Sequence, residues 1–117
     1  MTVRTVERSD ALILHVEGDV DGLTAPRLTA AVTEAFDRLD GRLLVVDLAE
    51  VSFFGSTGLR TLRESAAEAV RHRGLGQLRV VVDQNRPVIR PIEIVGLDQV
   101  LALFHSVADA VGTGDLR

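Results

Sequence analysis

The sequence predicts an α/β fold: a small mixed, mostly parallel sheet of about four to five strands with four helices, in the order β-β-α-β-α-β-α-α. Three observations carry this. Leu43-Leu44-Val45-Val46 and Leu78 to Val82 are continuous apolar runs, the pattern of strands covered on both faces by parallel neighbours and helices. The stretches that follow these runs place apolar residues at helical spacing. Residues Ala11 to Gly18 alternate, with Leu12, Leu14 and Val16 on one side and Ile13, His15 and Glu17 on the other, as in a half-buried strand. Alternating strands and helices imply right-handed crossovers.

In chain order, Val3 to Arg8 is a partner strand for Ala11 to Gly18, with Ser9-Asp10 as the turn. Thr24 is placed to cap the first helix, and Pro26 sits in its first turn, where a missing N–H costs little. Leu28, Val32, Ala35, Phe36 and Leu39 form its inner stripe, and Asp40-Gly41 ends it. Val51, Phe53 and Phe54 lead from the Leu43 strand to a glycine-bracketed turn. A second helix begins near Ser56. Its inner stripe is Leu59, Leu62, Ala66, Ala69 and Val70; its outer face is Arg60, Arg63, Glu64 and Arg71. Gly74-Leu75-Gly76 ends it. A short helix near Pro87 to Val95 is limited or kinked by Pro91. The last helix is expected from about Leu97 to Val111, on the spacing of Leu97, Leu101, Phe104, Val107 and Val111, with Gly112 and Gly114 ending it.

No repeat or linker divides the 117 residues, so residues 1–117 are expected to form one domain. The chain has no Cys, Trp or Tyr, and all 13 of its Lys/Arg residues are Arg. Disulfides, thiolate metal sites and lysine chemistry are excluded, and a stacking platform for single-stranded nucleic acid has too few rings. His15, His72 and His105 lie on different predicted elements, so no metal site is expected, and no cofactor. The net charge of −4 argues against direct nucleic-acid binding and against attraction to anionic lipid. The opening MTVRTVERSD has no hydrophobic signal core and no apolar run is long enough to span a bilayer, which predicts a cytoplasmic protein without membrane insertion. Charge is uneven: residues 60–90 carry 7 Arg and 3 acids, in an otherwise acidic chain. That segment is either a recognition patch or a set of solvated helix faces.

The stretch Asp47 to Leu59 is the one with chemical potential. A buried strand runs into a turn, and Gly55-Ser56-Thr57-Gly58 opens an amphipathic helix. The first N–H groups of a helix lack partners and its dipole is positive there, so an anion is tolerated. The plainer reading is that Ser56 or Thr57 caps the helix. The serine-hydrolase elbow matches only in half, because Phe54 stands where a glycine is needed. A phosphate-binding P-loop needs a lysine. Asp19 and Asp21 read first as turn residues.

Leu48-x-x-Val51-x-Phe53-Phe54-Gly55-Ser56-Thr57-Gly58-Leu59 resembles the signature of the STAS domains, specifically the bacterial anti-sigma factor antagonists. Val16-Glu17-Gly18-Asp19-Val20-Asp21 and Val95-Gly96-Leu97 resemble two further family segments, and the likeness spans about residues 3 to 112. The resemblance implies a STAS-like fold and a non-enzymatic regulator. It implies phosphorylation at Ser56 by a partner that is both anti-sigma factor and ATP-dependent serine kinase, with a serine phosphatase as the resetting enzyme. The expected partner-binding residues are Asp19, Asp21, Gly55, Ser56, Thr57 and Gly58 of the matching segments, with Arg60 one helical turn from Ser56, where it can pair with a phosphate or an acidic partner, and Arg63 one turn beyond; a monomer or weak homodimer is expected. Gly55 stands where the family carries Asp, Arg60 where a small residue is common, and Pro91 breaks a helix that is usually intact.

The alternative is a STAS adaptor that is not phosphorylated, such as the cytosolic subunit of a lipid-transport ATPase. A small enzyme using Ser56 as nucleophile would need a base beside it, and no sequence feature places one there.

Overall fold

Ser9 and Asp10 turn the chain so that β1 (Thr2–Glu7) and β2 (Ala11–Val20) pair antiparallel, with Arg8 N–H donating to Ala11 O at 2.8 Å. The computed structural model describes residues 1–71 and 73–112; His72 and Gly114 lie outside them. The remaining elements are α1 (Ala25–Asp37), β3 (Leu43–Phe54), α2 (Ser56–Arg71), β4 (Leu78–Val81), α3 (Arg86–Ile94), a 3-10 turn (Leu97–Gln99), β5 (Leu101–Phe104) and α4 (Val107–Gly112). The sheet order follows the chain, β1-β2-β3-β4-β5, and every pairing after the first is parallel.

Stepping one strand at a time in one direction, with right-handed crossovers, puts α1, α2 and α3 on the same face. Leu12, Leu14, Val16, Leu44, Val46 and Leu48 point there, under Leu28 and Val32 of α1, Leu62 and Ala66 of α2, and Val88 and Ile92 of α3. The opposite face holds a smaller cluster of Ala11, Ile13, Val45 and Val81, closed by Ala110 of α4. Five strands and four helices match the predicted class.

Four local expectations are corrected. First, the predicted single helix from Leu97 to Val111 is a 3-10 turn, a strand and a short helix. Gly96 is left-handed (φ 78°), β5 occupies the open edge of β4, and Ser106 caps α4 by accepting the Asp109 N–H at 3.1 Å. Second, Thr24 stands at the start of α1 but does not cap it with its side chain. Third, Val70 is half exposed; Thr61 and Ser65 are buried in its place, and Thr61 shares a hydroxyl–hydroxyl bond of 2.9 Å with Thr29 of α1. Fourth, α3 runs on through Pro91 to Ile94. The one helical acceptor that Pro91 leaves free is Pro87 O, in an exposed first turn that water can reach.

β3 carries the chain to the site, and it outruns its neighbours. It pairs with β4 only from Val45 to Asp47. Against β2 it gains an extra residue after Asp47 and another before Phe53, two bulges by register. Asp47 Oδ1 accepts the Ala49 N–H at 3.0 Å, while Asp47 Oδ2 accepts the His15 Nδ1–H at 2.8 Å. The Asn85 side-chain amide donates to Leu48 O, Ala49 O and Val51 O, at 2.8–3.1 Å. His15, expected to face away from Leu14 and Val16, does so, and its partner belongs to the bulge.

Candidate functional site

The site forms where β2 and β3 end side by side. Gly55 N–H donates to Val20 O at 3.0 Å, and Leu59 N–H donates to Gly55 O at 3.0 Å. Gly55 is therefore the residue that caps α2, and Ser56, Thr57 and Gly58 form its first turn. Ser56 is exposed, Thr57 is half-buried and Gly58 is buried. No acidic residue stands in that turn, so its free N–H groups and the helix dipole are left uncompensated by the helix itself.

Gly58 has a packing reason. A Cβ there would lie 2.9 Å from Val20 Cγ1 and 3.0 Å from the Phe54 ring, both buried. Only hydrogen fits, and this lets α2 press onto the ends of β2 and β3. Gly55 is different. Its φ is not positive, and a Cβ would meet the Phe53 ring at 3.0 Å, a ring 52% exposed and free to turn. Gly55→Asp is expected to raise Tm by about 2–4 °C at pH 7. A capping carboxylate at this end of the helix contributes about 0.5–1 kcal/mol, and a domain of this size shifts by roughly 4 °C per kcal/mol. Thermal melts check this; a lower Tm would mean that Phe53 cannot give way.

The loop from Asp19 to Thr24 abuts this turn. Asp21 Oδ1 accepts the N–H groups of Leu23 and Thr24, each at 3.0 Å. The Thr24 hydroxyl accepts the Asp21 N–H at 2.9 Å, and its one proton is shared between Asp19 O at 2.8 Å and Asp21 Oδ1 at 3.0 Å. Thr24 is thus spent on the loop, which is why it does not cap α1. Hydrogen bonds from the Thr24 backbone, then from its hydroxyl, hold the Asp21 carboxyl below its ordinary value of 3.8. A lowered carboxyl pKa stabilises the fold above the ordinary value, and that contribution is lost as pH falls through the folded-state value. The Tm advantage of the parent over Asp21→Asn is therefore expected to shrink as pH is taken from about 5 to about 3. Asp21 is structural in this role, whereas the Asp19 side chain is exposed.

Arg60 and Arg63 are exposed on α2. With Ser56, Leu59, Val95 and Leu97 they line a cleft of about 270 Å³ between α2 and the end of α3. Arg60 also borders a second hollow, which Gly22, Pro26 and Thr57 line on its other side. The structure therefore brings Gly55, Ser56, Thr57, Arg60 and Arg63 together, with the Asp21–Gly22 loop at the edge. The sequence did not mark the apolar side chains exposed at or beside these hollows: Leu23 (89%), Phe53 (52%) and Val95 (56%). Leu23 and Val95 lie in turns and Phe53 at the end of β3, three places distant in sequence. His15 sits on the opposite sheet face and His105 follows β5; neither lines a hollow beside Ser56. Among the described residues, no group of acids and histidines is arranged to hold a metal, and no helix is long and apolar enough to cross a membrane.

Comparison with known proteins places the chain in a family. The anti-sigma-F factor antagonist RsfB of Mycobacterium tuberculosis is 31% identical over 111 residues, covering 95% of this chain and 87% of the relative. The anti-sigma-B factor antagonist of Listeria monocytogenes is 32% identical over 95 residues, covering 81% and 80%. A crystal structure of an anti-sigma factor antagonist from Mycobacterium paratuberculosis superposes with a TM-score of 0.83 at 29% identity, covering 96% of this chain and 92% of the other. Unphosphorylated SpoIIAA shares the fold, with a TM-score of 0.68 at 14% identity and coverage of 97% and 96%. The STAS domain model matches residues 2–110, nearly the whole described chain. The chain belongs to the STAS domain family.

Proposed function

We propose that this protein is an anti-sigma factor antagonist. It binds an anti-sigma factor that is also a serine kinase, and phosphorylation at Ser56 switches the binding off. The observation that carries this reading is an exposed serine hydroxyl at the first position of α2, with exposed apolar side chains beside it and Gly58 seating the helix rigidly. The names of relatives above 30% identity support the antagonist role. The contact surface comprises Asp19 and the Asp21 loop, Gly55 to Gly58, Arg60 and Arg63.

In the modification step, Ser56 Oγ attacks the γ-phosphorus of ATP held by the kinase. The new O–P bond forms as the bond to ADP breaks, and the hydroxyl proton passes to a base of the kinase. The chain itself supplies no catalytic group. The free N–H groups of the first turn stabilise the added charge within this protein. A partner surface fitted to a hydroxyl has no such donors, so the complex weakens. A serine phosphatase restores the binding form.

The test is incubation with the cognate anti-sigma factor kinase and ATP, followed by intact-mass measurement. One phosphate on the parent and none on Ser56→Ala is the expected result; a phosphate retained by Ser56→Ala overturns the assignment. Gly55 favours a second reading, an adaptor that is never phosphorylated, because α2 lacks the carboxylate the family carries there. An unmodified parent that still binds its partner would decide for that reading.

A further inference from the structure

Arg60 lies four residues after Ser56 on α2, and side chains at that spacing are neighbours on a helix surface, with Cβ atoms about 5–6 Å apart. Arg63 lies one turn beyond Leu59, on the same cleft. Arg8, Arg38, Arg42 and Arg73 are each paired with a carboxylate: Asp10, Glu7, Glu7 and the Asp37–Glu68 pair. The other eight arginines among the described residues have no such partner, and of these Arg60 and Arg63 line the cleft that Ser56 borders. Glu64 is the one acid on this stretch of α2, and it borders the other hollow without forming an ion pair with Arg60. Two cations thus face a cleft walled by Leu59, Val95 and Leu97, in the +4 segment of an acidic chain. That composition fits an acidic protein segment with apolar flanks, and not a nucleic acid, which the overall charge repels.

We propose that Arg60, with Arg63 behind it, docks a carboxylate of the protein partner while Ser56 is a free hydroxyl, and that the Ser56 phosphate captures Arg60 once it is attached. The proposal deepens the reading of Ser56 as the phosphorylated residue and rests on it. Phosphorylation then acts twice. It adds negative charge to the surface, and it removes the cation that the partner needs. A phosphate outcompetes a carboxylate for a guanidinium, having more charge and more acceptor oxygens. It also acts from the same helix, whereas the partner must be captured from solution. No rearrangement of the fold is required.

The first experiment uses the full chain with phosphoserine installed at position 56 during synthesis and follows the phosphate by ³¹P NMR against pH. Pairing with Arg60 holds the second phosphate pKa below about 6, and Arg60→Gln returns it toward that value, with a smaller change for Arg63→Gln. An unchanged titration in Arg60→Gln overturns the capture. The second measures binding of the unphosphorylated chain to its anti-sigma factor by calorimetry. Arg60→Gln is expected to weaken binding about tenfold at low salt, with the gap narrowing at high salt. Equal affinity at low salt overturns the docking role. The NMR experiment needs no partner, so its failure is distinct from a failure of the parent to bind or be modified by an anti-sigma factor.

Discussion

Ser56→Asp is expected to lower the affinity for the anti-sigma factor by roughly 10²- to 10³-fold, about 3–4 kcal/mol. The side chain stands exposed at the first turn of α2, so the change leaves the core untouched and the variant should melt at or slightly above the parent. Within the chain the new carboxylate is welcome, because it lies at the positive end of the helix beside free N–H groups. In the complex it would occupy a surface shaped for a hydroxyl, lose its water and find no donor. Ser56→Ala should bind within a few-fold of the parent, since it removes one hydrogen-bonding group and adds no charge. Calorimetric titration of the three proteins checks this. Equal affinity for the parent and Ser56→Asp would remove the charge-based switch.

Leu62→Ala is expected to destabilise the fold by about 3 kcal/mol, which lowers Tm by roughly 10–15 °C in a domain of this length. Leu62 is 1% exposed and lies in the cluster that joins α2 to the sheet, alongside Ala66 and Ala69. Both of these neighbours are already small, so little side-chain volume is at hand to fill the void. Alanine's better helix propensity offsets only a few tenths of a kcal/mol. Denaturant melts with an unchanged m-value would confirm a packing loss. A Tm within about 3 °C of the parent would mean that α2 contributes little to the core.

Much of this architecture was legible because periodicity tracks burial. Leu43 to Val46 and Leu78 to Val81 read as central strands because both sheet faces are covered, by α1–α3 and by α4. The start of α2 was legible because glycines bracket Ser56. The C-terminal segment misled for a related reason. Leu97, Leu101, Phe104 and Val107 fit a helix by spacing, yet Leu101–Phe104 is short enough to be a strand, and the open edge of β4 decides between the two. A clue was present in Ser106-x-x-Asp109, a helix-start pattern inside the supposed helix. Thr24 had the right chemistry at the right place, but Asp21 and Asp19 O claimed its hydroxyl. For the site, the motif residues were legible, and Leu23, Phe53 and Val95 were not. Val95 shares a cleft with Ser56 only because the end of α3 lies beside α2, and spacing along the chain carries no such information.

The Asn85 amide has a consequence for solubility. Past Asp47, β3 has no β4 alongside it, and a bare row of strand carbonyls is a template for a strand from another molecule. One side chain occupies three of those carbonyls, at Leu48, Ala49 and Val51, and so denies that template to an incoming chain. The bulges twist the same margin out of the flat geometry that stacking requires. The overhang that carries the chain to the start of α2 would otherwise leave an adhesive edge, and Asn85→Ala is expected to raise self-association at high concentration, as light scattering checks.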